Sequence, residues 1–401
     1  MRATERYVRT NESLSFNNFP KNKLFQEFYT LYKESVKLLD NIKYGPRNIR
    51  VQKILDKLNM TKSLGLLVVK YDYFIEGFLK LDIQAHSDSI NSIIVLPATG
   101  EIVTGGSVKD PIIKIWNVGS LVKSLYGNIL SVDNMTAMSL EDGDRIITVS
   151  NLRDLKLWDP ISTLNILTLA GHSEKIKKIK ISSDNKIISL SADSIRIWNP
   201  YSGECETIIR NNPLSQINDF DILPNGKLVS VSQNRTITIW NKSISEDLII
   251  LNFIPFSIAT IDNDHIAIGS LGGGHFYIWN IQTKEYDYYN EANLYIDQIL
   301  PFSNGNLLTT EKFSIQIRDS RSNKILSTFF GGWNSTRNNF LVLPNNNVII
   351  GFENGDLKIW NPEENRIEKV IKSTDGITYI QISKNLEIIV GTKSGILQIW
   401  E

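Results

Sequence analysis

Short runs of alternating apolar and polar residues fill the chain from about residue 72 onward, and many end alike. IIKIW closes at Trp116, LKLW at Trp158, IRIW at Trp198, ITIW at Trp240, FYIW at Trp279, LKIW at Trp360 and LQIW at Trp400. A period of two over a handful of residues marks a half-buried strand. The seven tryptophans stand 42, 40, 42, 39, 81 and 40 residues apart, and IQIR ending at Arg318 fills the place that halves the long gap. The spacing predicts eight units of about forty residues. Units of that length cannot bury their apolar faces alone and must pack on one another.

Each unit reads as four short strands. In the third, Ile176–Ile181, Lys186–Ser191, Ile195–Trp198 and Glu204–Ile209 are the candidate runs, with polar turns between them. Asp142-Gly143, Asn225-Gly226, Asn304-Gly305, Asn354-Gly355 and Ser394-Gly395 fall at turns, where glycine adopts left-handed backbone without steric cost. Pro97, Pro224, Pro301 and Pro344 recur near the end of the first strand, where a missing N–H interrupts no central ladder.

These residues resemble the WD-repeat (β-transducin-like) propellers, over about residues 72–401. The dipeptide of that family is literal only at Trp158-Asp159; Trp116, Trp198, Trp240, Trp279 and Trp360 are followed by asparagine. The resemblance implies a His, Ser/Thr, Asp and Trp network in a blade. His172, Ser189, Asp193 and Trp198 match it in the third unit, and His86, Thr104, Asp110 and Trp116 match more loosely in the first. Unit four carries Asn234 in place of the aspartate, and six units lack the histidine. The expected fold is all-β: an eight-bladed WD-repeat-like β-propeller with a short N-terminal α-helical segment. The run FLKLDIQ at 78–84 has the phase of an outermost strand without a blade of its own, while the last unit stops after its third strand. An unpaired edge there invites association, so this run is expected to pair with Ile396–Trp400 and close the ring.

The first seventy residues follow another rule. Phe25, Phe28, Tyr29, Tyr32, Val36 and Leu39 recur at helical spacing, as do Ile49, Ile54, Leu55 and Leu58, with Gly45-Pro46 between the runs. This predicts a flexible tail over 1–20, a helical hairpin over 21–70 and the propeller over 71–401. Residues 1–62 hold thirteen Lys/Arg against six Asp/Glu, so the chain's net charge of zero conceals +7 on this front and −7 on the remainder. A basic front could dock on the propeller or meet an acidic partner. Its aromatics form one helical stripe suited to burial, which argues against a nucleic-acid platform.

Candidate chemistry is sparse. With 42% hydrophobic and 21% charged residues and no long apolar run, the composition is that of a globular chain, and no membrane association or secretory signal is expected. A single cysteine, Cys205, excludes an internal disulfide and multi-thiolate zinc. The histidines His86, His172, His265 and His275 show no metal-ligand spacing, so neither metal nor cofactor is expected. Gly272-Gly273-Gly274 lacks the Lys-Ser/Thr of a phosphate loop and opens no helix; it reads as an interstrand turn. Asp219, Asp221 and Asp297 are the carboxylates expected on innermost strands, and they come from nonadjacent units. A general acid and its partner must meet on one substrate, so these three do not predict an enzyme.

The loops before each innermost strand and between the second and third strands would form one polar face around the channel mouth. Asp88, Lys109, Arg153, Lys175, Arg235, Trp333, Asn354 and Lys393 are the candidates there for binding a partner. Gly332-Trp333 aligns with Gly171-His172, which puts a large aromatic at a blade-top position; it is a hot-spot residue or a packing lid. The expected function is that of a non-catalytic scaffold, monomeric within a larger complex, binding proteins or peptides and not nucleic acid. Its expected location is intracellular, in the cytoplasm. Two alternatives remain: a substrate receptor of a ubiquitin-ligase complex acting through the helices, though they lack a Leu-Pro start and later tryptophan, and a channel-mouth enzyme using the three aspartates.

Overall fold

A computed structural model describes residues 79–400, apart from residues 118, 128–129, 151–152, 211–214, 271–274, 291–295, 303–304, 312–313, 323, 332–338 and 344. The tail and hairpin expected over 1–70, Trp333 and the triple glycine lie outside the described residues. Leu79–Lys384 with Ile388–Trp400 make one compact unit. It contains eight four-stranded antiparallel sheets, each ordered as in sequence except the last. In the third blade the strands are Ile176–Ile181, Ile187–Ser191, Ile195–Trp198 and Cys205–Ile209.

Blades pack face to face, so a central strand has a neighbouring blade on each side. That is why Ile102–Gly106, Ile187–Ser191, Leu228–Ser232 and Ile388–Thr392 are buried along their whole length rather than at alternate residues. The tryptophans fill the seams. Trp158 of blade 2 packs with Val103, Ile113 and Ile115 of blade 1, and Trp116 of blade 1 packs with Ile389, Leu397 and Ile399 of blade 8. Truncating one such indole to alanine costs about 3–5 kcal/mol.

The eighth blade is built from both ends of the described chain. Ile377–Ile382, Ile388–Thr392 and Ile396–Trp400 form its first three strands, and Leu79–Gln84 is the outermost, in antiparallel register from Gln84↔Ile396 to Leu79↔Trp400. Further bonds secure the seam. The Ala85 and His86 N–H groups both donate to the Gly395 carbonyl at 2.9 Å, and Thr378 Oγ1 donates to the Ile90 carbonyl at 2.6 Å. Gly395 has φ +86°, and a Cβ there would lie 2.2 Å from the His86 carbonyl oxygen, so this contact requires glycine.

Asparagine after the blade tryptophan keeps the turn that aspartate would make. Asp159 Oδ1 accepts the Ile161 N–H at 2.8 Å; Asn199 Oδ1 accepts the Tyr201 N–H at 2.9 Å, and Asn361 Oδ1 the Glu363 N–H at 3.0 Å. Only an acceptor oxygen is needed to cap this turn. The amide adds a donor, which Asn199 gives to Glu206 at 2.8 Å and Asn361 to Glu368 at 2.7 Å, tying the turn to the outermost strand. Asp159 lacks that donor, and seven residues after it stands Ile166 instead of glutamate.

Candidate protein-interaction face

Two blades carry a hydrogen-bonded relay beneath the loop face. In blade 1, Trp116 Nε1 donates to Thr104 Oγ1 at 2.9 Å, Thr104 Oγ1 lies 2.8 Å from His86 Nε2, and His86 Nδ1 lies 3.1 Å from Asp110 Oδ2. A neutral imidazole with its proton on Nδ1 satisfies every link. Burial, reinforced by the Lys114 ammonium, pushes His86 down to about 4 against the opposing pull of Asp110. Burial works against ionisation of Asp110, but the Ser87 N–H at 3.0 Å and Lys114 at 3.2 Å hold its carboxyl below the usual range. Blade 3 repeats the arrangement: Trp198 to Ser189 at 2.9 Å, Ser189 to His172 at 2.7 Å and His172 to Asp193 at 3.1 Å. Burial lowers His172 as well, although Asp193 pulls the other way.

Without a histidine, the tryptophan–hydroxyl bond persists in blade 2, from Trp158 to Thr148 at 3.0 Å, and in blade 4, from Trp240 to Ser230 at 2.8 Å. Blades 5, 7 and 8 carry Ile268, Ile350 and Val390 at the equivalent place. Blade 6 uses another solution. Arg318 takes the tryptophan position, and its Nε donates to Thr309 Oγ1 at 3.3 Å. The guanidinium also bonds Gln316, sits 3.6 Å from Glu311 and lies over the Phe276 ring at 5.1 Å. Arg318 and Glu311 are 1% and 4% exposed. Sequence reading took Arg318 as a gap-filler and missed this buried pair; the nine-residue step from Thr309 to Arg318, equal to that from Ser189 to Trp198, was the available signal.

The channel-side carboxylates are committed. Lys178 donates to Asp219 Oδ1 at 2.6 Å, and Asp219 Oδ2 accepts the Ile258 N–H of blade 5 at 3.1 Å. One rung along, Lys180 bonds Asp221, whose other oxygen accepts the Thr260 N–H at 2.9 Å. Each aspartate therefore links three consecutive blades. Asp297 precedes the innermost strand Gln298–Pro301 rather than lying on it. Cys205 is half-buried, with its Sγ 3.4 Å from the Thr207 carbonyl. Among the described residues no group of three or more His, Cys, Asp or Glu could hold a metal ion, and no helix is long and apolar enough to cross a membrane.

On the loop face, Asp88 accepts from Ser107 Oγ at 2.7 Å, which holds its carboxyl below the usual range, and Lys109 stands 3.7 Å away. Lys393 is exposed, and its backbone N–H is held by the Gly376 carbonyl at 2.8 Å. Blades 8 and 1 thus bring Asp88, Lys109 and Lys393 to one seam, since Gly395 carries the chain of the Lys393 turn against His86. Asn354 is exposed, but its Oδ1 accepts the Asp356 N–H at 3.0 Å, which spends it on its own turn. Arg153, Lys175 and Arg235 are exposed on blades 2, 3 and 4.

Eight radial blades joined by an N-terminal outer strand define a β-propeller. The fold is that of a WD-repeat propeller, and the family described as WD domain, G-beta repeat, matches residues 203–241, from the outermost strand of blade 3 through the third strand of blade 4. Among curated proteins it is 28% identical over 177 residues to nuclear distribution protein PAC1 of Arthroderma otae, covering 41% of this chain and 38% of that one. It is 29% identical over 202 residues to nuclear distribution protein nudF of Emericella nidulans, covering 48% and 45%, and 29% identical over 147 residues to autophagy-related protein 16 of Arabidopsis thaliana, covering 34% and 28%. The matches span less than half the length of each of these relatives. Among solved structures, the computationally designed Ika8 protein superposes with a TM-score of 0.65 at 16% identity, over 80% of this chain and 99% of that one. The WD40 β-propeller domain of Doa1 superposes with a TM-score of 0.50 at 14% identity, over 82% and 97%. At such identities these structures speak for the fold.

Proposed function

We propose that this chain is a non-catalytic scaffold that presents its loop face to protein or peptide partners. The observation that carries the reading is the division of labour among its polar groups. The histidines His86 and His172 and the channel carboxylates Asp219 and Asp221 are spent on holding blades together, whereas Lys109, Arg153, Lys175, Arg235 and Lys393 are left exposed on one rigid face. Catalysis would need the reverse, with acid and base groups accessible and perturbed toward their task. The relatives are named for nuclear distribution and autophagy, which are cellular processes rather than reactions. Trp333 belongs to the same proposed face by its alignment in sequence.

The test is affinity capture with in-cell cross-linking, using wild type, Trp333→Ala, and Lys109→Glu with Lys393→Glu. Loss of specific partners in either loop-face variant, with folding retained, is the expected result. A partner set that neither variant alters would place binding elsewhere and end the reading of this face. Capture by a chain lacking residues 1–70 separates a ligase adaptor from a scaffold: a ligase core that disappears on truncation would favour the adaptor.

A further inference from the structure

Several cations elsewhere on the propeller have a carboxylate within reach. Lys186 pairs with Glu206 at 2.6 Å, Lys227 with Glu246, Arg145 with Asp142, Arg366 with Glu364, Lys372 with Asp356 and Lys178 with Asp219 at 2.6 Å. On the loop face over blades 2 to 4, four cations are without such a pair among the described residues. Arg153 lies in the turn between the second and third strands of blade 2, Lys175 immediately before the innermost strand of blade 3, Arg210 immediately after its outermost strand, and Arg235 in the corresponding turn of blade 4. All four are exposed, and no carboxylate pairs with any of them among the described residues. Asp154, half-buried, and Glu174, exposed, are the acids that adjoin Arg153 and Lys175 in sequence. The adjoining segments 151–152 and 211–214 read Asn-Leu and Asn-Asn-Pro-Leu and bring no charge.

The backbone at the blade 4 end of this arc is held by hydrogen bonds. Arg235 has φ +68°, its N–H donates to the Ser232 carbonyl at 3.0 Å and its carbonyl accepts the Leu251 N–H at 2.7 Å. The preceding Asn234 N–H is held by Ser215 Oγ at 2.9 Å. Cations on such a frame lose less backbone freedom when they bind than cations on a loose tail would. A like-charged set without internal partners also raises the local concentration of anions and orients their approach.

We propose that Arg153, Lys175, Arg210 and Arg235 form an anion-binding arc over blades 2 to 4 that docks an acidic stretch of a protein partner. The proposal rests on the scaffold reading and narrows it to one sector and one chemistry. A peptide suits the arc better than a nucleic acid. A strand of nucleic acid asks for a longer cationic track with aromatic platforms for its bases, and these four residues are flanked by Leu152 and Asp154, Glu174 and Ile176, Ile209 and Asn211, and Asn234 and Thr236, none of them aromatic. Four cations can instead face the carboxylates of a short acidic segment.

Fluorescence anisotropy on the full chain, with a labelled oligoglutamate peptide as probe, tests it. Wild type is expected to bind saturably, with affinity that falls steeply with salt. Reversing all four charges to glutamate should weaken binding by about tenfold or more, while Lys242→Glu with Arg321→Glu on the opposite turns leaves it unchanged. Absence of binding by wild type, equal binding by the reversed variant, or tighter binding of oligothymidylate than of the peptide would each overturn the arc. Cross-linking capture with the reversed variant keeps the two readings apart: retained partners defeat the arc and leave the scaffold standing.

Discussion

Arg318→Ala is expected to cost about 3–5 kcal/mol of stability, because it removes the cation beside the buried Glu311 carboxylate of blade 6. Arg318 and Glu311 are almost fully buried, 3.6 Å apart, and Ser314 Oγ donates to the second Glu311 oxygen at 2.7 Å. That hydroxyl cannot replace a cation. The guanidinium also gives Thr309 its donor and covers the Phe276 ring, so truncation removes packing as well. Glu311→Ala alone removes the carboxylate beside the arginine and is expected to be destabilising too, whereas the double variant should lose clearly less than the sum of the two. Urea unfolding of the four proteins measures the coupling. Additive losses would mean that the pair contributes no interaction of its own.

Acid is the second large effect. His86 sits at about 4 in the fold and near 6.5 in the unfolded chain, so between these values the unfolded chain takes up a proton that the folded one refuses. Stability from this group is complete above about pH 6.5 and declines as pH falls, with a loss on the order of 3 kcal/mol by pH 4. His172 is lowered as well and acts in the same sense. Asp110 and Asp193, both held below the usual carboxylate range, extend the loss to still lower pH. Urea midpoints compared at neutral pH and at mildly acid pH should fall steeply for wild type and less steeply for His86→Gln. Equal slopes would show that His86 does not carry the acid response.

The ring was legible because its signal is periodic and local. Each tryptophan ends a strand, and a strand order that repeats eight times leaves little freedom for the whole. Closure could be inferred because an unpaired third strand at one end matched a surplus strand at the other. Other features depend on contacts that no period reveals. Asp219 read as a loose channel carboxylate because its partners, Lys178 and the Ile258 amide, lie about forty residues away on either side. Arg318 read as a placeholder because its function comes from Glu311, Gln316 and Phe276, which are distributed over two blades. Asparagine after tryptophan alters the family's dipeptide, yet the side-chain oxygen that caps the turn is common to both residues. Of the binding candidates, the sequence marked exposure well at Lys109, Arg153, Lys175, Arg235 and Lys393, but Asn354 is absorbed by its own turn and Arg210 was overlooked because it ends an outer strand.

Everything proposed for the loop face depends on a ring closed between the two ends of the propeller. The most direct measurement is disulfide trapping in the full chain, with Asp82→Cys and Gln398→Cys in a Cys205→Ser background, because residues 82 and 398 are opposed across the closing pair of strands. The account predicts rapid formation of an intramolecular disulfide, seen by mass spectrometry as a peptide joining positions 82 and 398 within a monomer. Two free thiols after mild oxidation, or a disulfide found only between molecules, would contradict the closed eight-bladed ring.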